Sequence, residues 1–206
     1  MKKVFSVVLV VALVLTFAAC GVAAHGGYAG GSYNLKMGHY WGSAQNNAKV
    51  MENFSAVVSE MSDGKIEVDV YPDGQMGHLN ELAEYVSMGT IDFAPNDWPT
   101  LATILGYNKG ALVGFAYMFK DFAHVGAFFG SDIYAQMKQD ILDQYNIRVL
   151  GSFGEGFRQV YTQRPVNSVA DFAGLRLRVP DVAVYMETFQ AYGAATTIVP
   201  GAEIYT

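Results

Sequence analysis

The chain has 206 residues, 51% hydrophobic and 16% charged, with a formal net charge of −6. That apolar content excludes a disordered chain, and the length suits one large domain or two small ones. The acidic balance argues against a nucleic-acid partner, because phosphate binding needs clustered Lys and Arg. An anionic ligand would have to be held by a few local arginines, not by a general positive field.

Residues 1–24 read as an export signal: Lys2 and Lys3 form the charged end, Val4 to Ala19 is almost wholly apolar, and small residues follow. The apolar run of about 16 residues is short for a membrane-spanning helix, which needs roughly 20. Two processing routes compete. Val22-Ala23-Ala24 fits a small-x-small cleavage site before His25, whereas Phe17-Ala18-Ala19-Cys20-Gly21 resembles a bacterial lipobox in which Cys20 would be lipidated. Cys20 is the only cysteine, so no intrachain disulfide and no cysteine metal site is expected. Loss of Lys2 and Lys3 with the signal, and of no acid, would take the charge from −6 to −8. The glycine-rich run 25–32 reads as a flexible linker.

From Tyr33 the pattern becomes βα. Tyr33, Leu35 and Met37 alternate as a strand leading into the loop His39-Tyr40-Trp41, and residues 46–62 carry apolar positions at helical spacing. Ile66, Val68 and Val70 predict the next strand, ended by the turn Pro72-Asp73-Gly74. A helix is expected from Leu79 to Met88, a strand from Ile91 to Ala94, a long helix from His124 to Asp143 and a strand from Ile147 to Leu150. Strands at Val160–Thr162, Leu175–Val179 and Thr196–Val199 and a helix at Asp181–Tyr192 complete the pattern. Alternating strands and helices predict α/β architecture with covered sheets. The glycine-rich stretch Leu150 to Gly156 marks a domain crossing with hinge-tolerant backbone. Residues 33–150 are therefore expected to form a first α/β lobe and residues 151–206 part of a second.

In the strand Leu175–Val179 side chains alternate, with Leu175, Leu177 and Val179 on one face and Arg176 and Arg178 on the other. Such a face is either solvated or lines a cleft that receives an anion, a task for which the planar guanidinium fork is suited.

The wider pattern favours the cleft. Gly156-Phe157-Arg158-Gln159, Arg164-Pro165-Val166 and Asp171-Phe172-Ala173-Gly174-Leu175-Arg176-Leu177-Arg178-Val179-Pro180 resemble the signature region of TRAP-transporter substrate-binding proteins. Gly64 to Gly77 is similar to that family's Gly-Arg-Ile-x-Val-x-Val-Tyr-Pro-x-x-Gln-Leu-Gly, and Gly89-Thr90-Ile91-Asp92 to its Gly-Thr-Ile-Asp. Phe119 to His124 and the Pro200, Glu203 and Tyr205 set also resemble family elements, so the likeness spans residues 33–206.

The resemblance implies a type II periplasmic-binding-protein fold, two α/β lobes around a ligand cleft, with the second lobe incomplete here. It implies capture of a small organic acid, such as a dicarboxylate, outside the cytoplasmic membrane, in the periplasm or on a lipid anchor. Delivery would be to a TRAP-type membrane permease, with no cofactor. By resemblance Arg178 forms the salt bridge to the ligand carboxylate, largely hidden from water, and Arg158 is the second cationic contact. The loops after strands add His39, Tyr40 and Trp41, and Asn96, Asp97 and Trp98, as candidate contacts, with core or hinge packing as the alternative for Trp41 and Trp98. Glu81 either touches a polar ligand group or serves as a first-turn helix acid, and Asp181 either caps a helix or touches ligand. Ala116 stands where the family has proline, and Gly201 where many members place an aromatic residue. The resemblance also implies roughly a third more chain beyond Thr206, so a C-terminally truncated fragment with uncovered sheet edges is expected.

Catalysis has little support. His25, His39, His78 and His124 are scattered without a metal-binding helix pair, and neither a nucleophile elbow nor a phosphate loop is present. An exported α/β enzyme acting on a carboxylated substrate and a sensor-type binding module are the rival readings.

Overall fold

The computed structural model describes residues 30–199, 203 and 204. The expected export signal, Cys20 and most of the linker lie outside these residues, as do Pro200, Gly201 and Tyr205. Residues Tyr33–Thr206 group as one compact unit.

The first sheet is built as its alternation predicts. Strand β1 (Tyr33–Gly38) pairs in parallel with β2 (Ile66–Tyr71), Tyr33 opposite Ile66 and Gly38 opposite Tyr71. Parallel neighbours need a crossover, supplied by helix α1 (Asn46–Met61). Ser55 on α1 donates its hydroxyl to the Val68 carbonyl at 2.7 Å, fixing helix against strand. Helix α2 (Leu79–Ser87) seats against the end of β1, where a Cβ on Gly38 would lie 2.7 Å from Leu82 Cδ2. The expected strand Ile91–Ala94 is reduced to one parallel bridge between Met37 and Phe93. The Asp92 carboxylate accepts the Lys36 amide at 2.8 Å, taking a position that a continuing ladder would give to a carbonyl.

Helix α3 (Trp98–Leu105) is an element the apolar pattern did not predict. Its ends carry ordinary signals: the Asp97 carboxylate accepts the Thr100 amide at 2.7 Å, Pro99 sits in the first turn, and Gly106 takes the left-handed C-terminal position at φ 74°. The sequence WPTLATIL is apolar on nearly every side, so no polar stripe betrays a helical period. A 3₁₀ turn (Asn108–Gly114) follows. The expected long helix is two helices, α4 (Phe122–Phe129) and α5 (Asp132–Tyr145), broken at Gly130 and restarted by the Ser131 hydroxyl, which accepts the Tyr134 amide at 3.2 Å.

The main core forms where these helices meet: Ala83, Trp98, Leu101, Tyr107, Tyr134, Met137 and Ile141 pack together and are buried.

The second sheet pairs β3 (Arg176–Val179) in parallel with β4 (Ala195–Ile198), Arg176 opposite Ala195, with helix α6 (Ala183–Ala191) as crossover. The alternation holds, since Leu177 and Val179 are buried while Arg176 and Arg178 are exposed. Gly114 wedges between the two halves: a Cβ there would lie 2.7 Å from Pro99 on α3 and 2.8 Å from Val184 on α6.

The expected strands Ile147–Leu150 and Val160–Thr162 are absent from the described residues. Residues 147–166 make no backbone–backbone hydrogen bond among them, and Leu150, Phe153, Phe157, Val160 and Tyr161 are exposed. A strand pattern without a neighbouring strand has no ladder to satisfy its amides, so it stays irregular.

Candidate ligand site between the two sheets

The loop after β1 is held by the turn after β2. The His39 amide donates to the Tyr71 carbonyl at 3.0 Å, the His39 carbonyl accepts the Gly74 amide at 3.0 Å, and the Trp41 carbonyl accepts the Asp73 amide at 3.1 Å. Asp73 also accepts the Ser43 amide at 3.1 Å. So fixed, the loop buries His39 and Trp41 and leaves Tyr40 half-buried. The Trp41 ring lies 4.9 Å from the Tyr40 ring and 6.4 Å from Phe153.

His39 is fully buried, and neither ring nitrogen has a hydrogen-bond partner. Burial lowers its pKa; a weak approach of the Trp41 backbone, outside hydrogen-bond geometry, and the charges of Asp73 and Glu52 oppose that shift.

Two candidates prove to be occupied within the fold. Asn96 donates its amide to the Leu79 carbonyl at 3.0 Å and accepts the Asp97 amide at 2.9 Å. Trp98 is buried against Tyr134 at 5.6 Å and Tyr107 at 6.2 Å. Glu81 accepts the His78 amide at 3.1 Å and closes a capping box, the helix-start role weighed for it. Asp181 lies one residue before the Val182 N-cap and accepts the side-chain amide of Asn80 instead of capping α6.

The charged groups gather around Arg158, Arg178 and Tyr185. The Arg158 guanidinium carbon stands 4.0 Å over the centre of the Tyr185 ring. Arg178, on β3, donates Nε to the Val199 carbonyl at 2.7 Å, which leaves its terminal nitrogens for another partner. It is exposed, not largely hidden from water as the family resemblance implied. What burial it has, and then the charge of Arg158, lower its pKa. Glu155 accepts the side-chain amide of Asn47 on α1. Desolvation, then Asp97, raise the Glu155 pKa, with Arg158 and Asn47 opposing. Burial raises the Tyr40 and Tyr185 phenols, and Glu155 and Asp97 add to the rise at Tyr40. Neither arginine is ion-paired among the described residues, where the ion pair present is Lys109–Asp140 at 2.7 Å.

These contacts bring two guanidiniums, two carboxylates and two phenols into one electrostatic neighbourhood at the C-terminal ends of β1 and β3, where α/β sheets present their ligand loops. An acid group would satisfy the two cations, and hydroxyl groups would satisfy the carboxylates. The hollows along α5, one lined by Lys138, Gln139 and Arg148 and one by Lys109, Gln136 and Asp140, share no residue with this cluster. Sequence reasoning found Arg158 and Arg178 but not Tyr185 or Asn47, which stand among ordinary helix residues and carry no motif signal.

The DctP family of bacterial extracellular solute-binding proteins, family 7, matches residues 37–206. The chain belongs to this family. A solute-binding protein of Roseobacter denitrificans is 28% identical over 177 residues, covering 84% of this chain and 52% of that protein. The sialic acid-binding periplasmic protein SiaP of Vibrio cholerae is 29% identical over 160 residues, covering 78% and 48%. This DctP-family chain thus spans about half the length of the curated relatives it matches. A TRAP periplasmic solute-binding protein of Roseobacter denitrificans, solved with L-galactonate, superposes with a TM-score of 0.76 at 27% identity, covering 85% of this chain and 57% of that one. The corresponding Sulfitobacter protein, solved with β-D-galacturonate, gives 0.77 at 21% identity over 84% and 57%. The fold is that of TRAP periplasmic solute-binding proteins, an α/β arrangement with a parallel sheet in each half.

Proposed function

We propose that this chain is the solute-capturing part of a TRAP transporter that holds a small organic acid and passes it to a membrane permease. The observation that carries the reading is that Arg158 and Arg178 have no ion-pair partner among the described residues and that, after burial, the charge of Arg158 lowers the Arg178 pKa. A carboxylate between them would relieve the repulsion and accept from both forks. Arg178, its Nε already given to Val199, offers its terminal nitrogens to the acid; Arg158 supports it. Asp97, Glu155 and Tyr40 form the polar wall, where hydroxyl groups of a sugar acid would find partners. Residues 33–150 and 151–206 act as the two lobes, and closure on the acid shifts the population toward the form the permease recognises. The acid leaves chemically unchanged, since the cluster binds charge and contains no nucleophile paired with a base.

Thermal denaturation of the full chain with L-galactonate, β-D-galacturonate and C4-dicarboxylates tests the reading. A true ligand at 100 times its Kd stabilises by about 2.7 kcal/mol, and Arg178→Ala abolishes that gain while the unliganded protein stays folded. A gain that survives Arg178→Ala, or conversion of the bound acid to product, overturns it.

A further inference from the structure

Arg158 occupies an unusual position for a ligand contact. It lies in the irregular stretch 147–166, which makes no backbone–backbone hydrogen bond among the described residues, and it follows Gly156, whose φ of 121° suits only glycine. The backbone therefore does little to aim its side chain. Contacts around Arg158 pin the stretch to helices instead: Glu155 accepts from Asn47 on α1, the Phe157 ring packs 5.1 Å from Phe122 on α4, and the Arg158 guanidinium lies over Tyr185 on α6.

We propose that Tyr185 is the positioning residue for Arg158: its ring face holds the guanidinium in place and keeps the in-plane N–H groups available to a ligand carboxylate. This rests on the reading of the site as an acid receptor. A carboxylate could anchor Arg158 equally well, and Glu155 is near enough in sequence, but that pairing would consume the N–H fork and neutralise the charge the ligand needs. A ring takes only the flat face of the cation. The Tyr185 amide donates to the Val182 carbonyl at 3.1 Å in the first turn of α6, and the side chain is half-buried, so the ring sits on a rigid element while its guest sits on a loose one. Burial raises the pKa of the Tyr185 phenol, and Arg158 opposes that rise through its charge and a side-chain hydrogen bond. With the ring face as the holding element, phenylalanine, which keeps the ring and lacks the hydroxyl, substitutes for tyrosine at this position and leucine does not.

Calorimetric titration of the full chain with L-galactonate, β-D-galacturonate and the carboxylate-free polyol galactitol distinguishes the cases. Tyr185→Phe is expected to bind the acid within about twofold of the parent, and Tyr185→Leu to bind roughly three- to thirtyfold more weakly, the range of a cation–π contact. On an Arg158→Ala background, Tyr185→Leu is expected to add less than about twofold, because the group it positions is gone. Galactitol binding, if any, stays unchanged by either substitution. If Tyr185→Leu fails to fold, Tyr185→Gln, which also lacks a ring, makes the same comparison. Parent-like binding by the leucine variant, failure of phenylalanine to preserve binding, or an equal loss on the Arg158→Ala background overturns the inference while leaving the receptor reading intact. Absence of acid binding in the parent, or binding indifferent to Arg178→Ala, overturns the receptor reading and the ligand role of Tyr185 with it.

Discussion

The side-chain amide of Asn80 donates to both the carbonyl and the carboxylate of Asp181, at 3.3 and 3.1 Å. Asn80 stands on α2, which seats against the end of β1, and Asp181 follows β3 of the second sheet. Nearby, the Ala183 amide donates to the Thr103 hydroxyl at 3.4 Å, and Gly114 lets α3 and α6 approach. Two parallel sheets that share no strand are thus joined by side chains of the helices and loops around them.

Breaking that link has a measurable consequence. Asn80→Ala and Asp181→Ala should each destabilise the chain by about 1 kcal/mol, less than the usual contribution of a hydrogen bond to a charged group because Asp181 is exposed. The double variant should lose less than the sum, since both changes remove one interaction. Urea denaturation of the four proteins checks this, and strict additivity would show that the contact contributes nothing.

Two glycine substitutions should act in opposite directions. A Cβ on Gly110 would lie 2.4 Å from the Trp98 carbonyl oxygen, whereas one on Gly126, within α4, meets nothing within 4 Å. Gly110→Ala should lower stability by about 1–3 kcal/mol through overpacking and disturb the near-UV signal of the Trp98 cluster. Gly126→Ala should raise stability by roughly 0.5–1 kcal/mol through helix propensity. Equal melting midpoints would refute the close approach of the 3₁₀ turn to α3.

What the sequence made legible follows from how local each signal is. β1, α1, β2 and α6 were readable because alternation and helical spacing are properties of a short window. The break at Gly130-Ser131 and the cap at Asp97 were written in the chain too, but apolar residues run past both, and continuity masked the stop. The strands expected at 147–150 and 160–162 failed for the opposite reason, because a strand needs a neighbour and no window contains one. At the site, Arg178 stood out on the polar face of an alternating strand in an acidic chain, and the resemblance to TRAP substrate-binding proteins pointed to it and to Arg158 as ligand contacts. Asn96 and Trp98 looked equally available as loop residues, yet their partners, Leu79 and Tyr134, are brought to them only by the tertiary fold. Tyr185 was invisible because its significance is the guanidinium above it.

His39 should make the protein acid-sensitive above the range where carboxylates titrate. Burial lowers its folded pKa from 6.5, so below that value the unfolded chain binds a proton that the folded chain resists. The unfolded state then holds more protons, and stability falls as pH drops below about 6.5. His39→Leu removes both the titration and two buried nitrogens without hydrogen-bond partners, so between about pH 7.5 and 5 its stability should decline less than the parent's. Parallel curves for the two proteins over that interval would show that His39 protonates without penalty.

Glu155 should have the reverse sign. Desolvation, followed by Asp97, raises its folded pKa above 4.5, so between the unfolded and folded values the folded chain keeps a proton that the unfolded chain has released. Stability therefore falls as pH rises through that window, and the charged carboxylate carries its full unfavourable effect at neutral pH. Glu155→Gln keeps an oxygen to accept from Asn47 and removes the charge. Without ligand, the glutamine variant should melt higher than the parent at pH 7, and the two should converge as pH falls below about 4.5. The same substitution leaves Arg158 without its nearest acid in sequence, so it also reports whether that arginine needs Glu155 to stay in place. With a C4-dicarboxylate that carries no hydroxyl group and so makes no use of the polar wall, an Arg158 held by Tyr185 should bind as well in the variant as in the parent, while a loss of more than about tenfold would assign the holding role to the carboxylate.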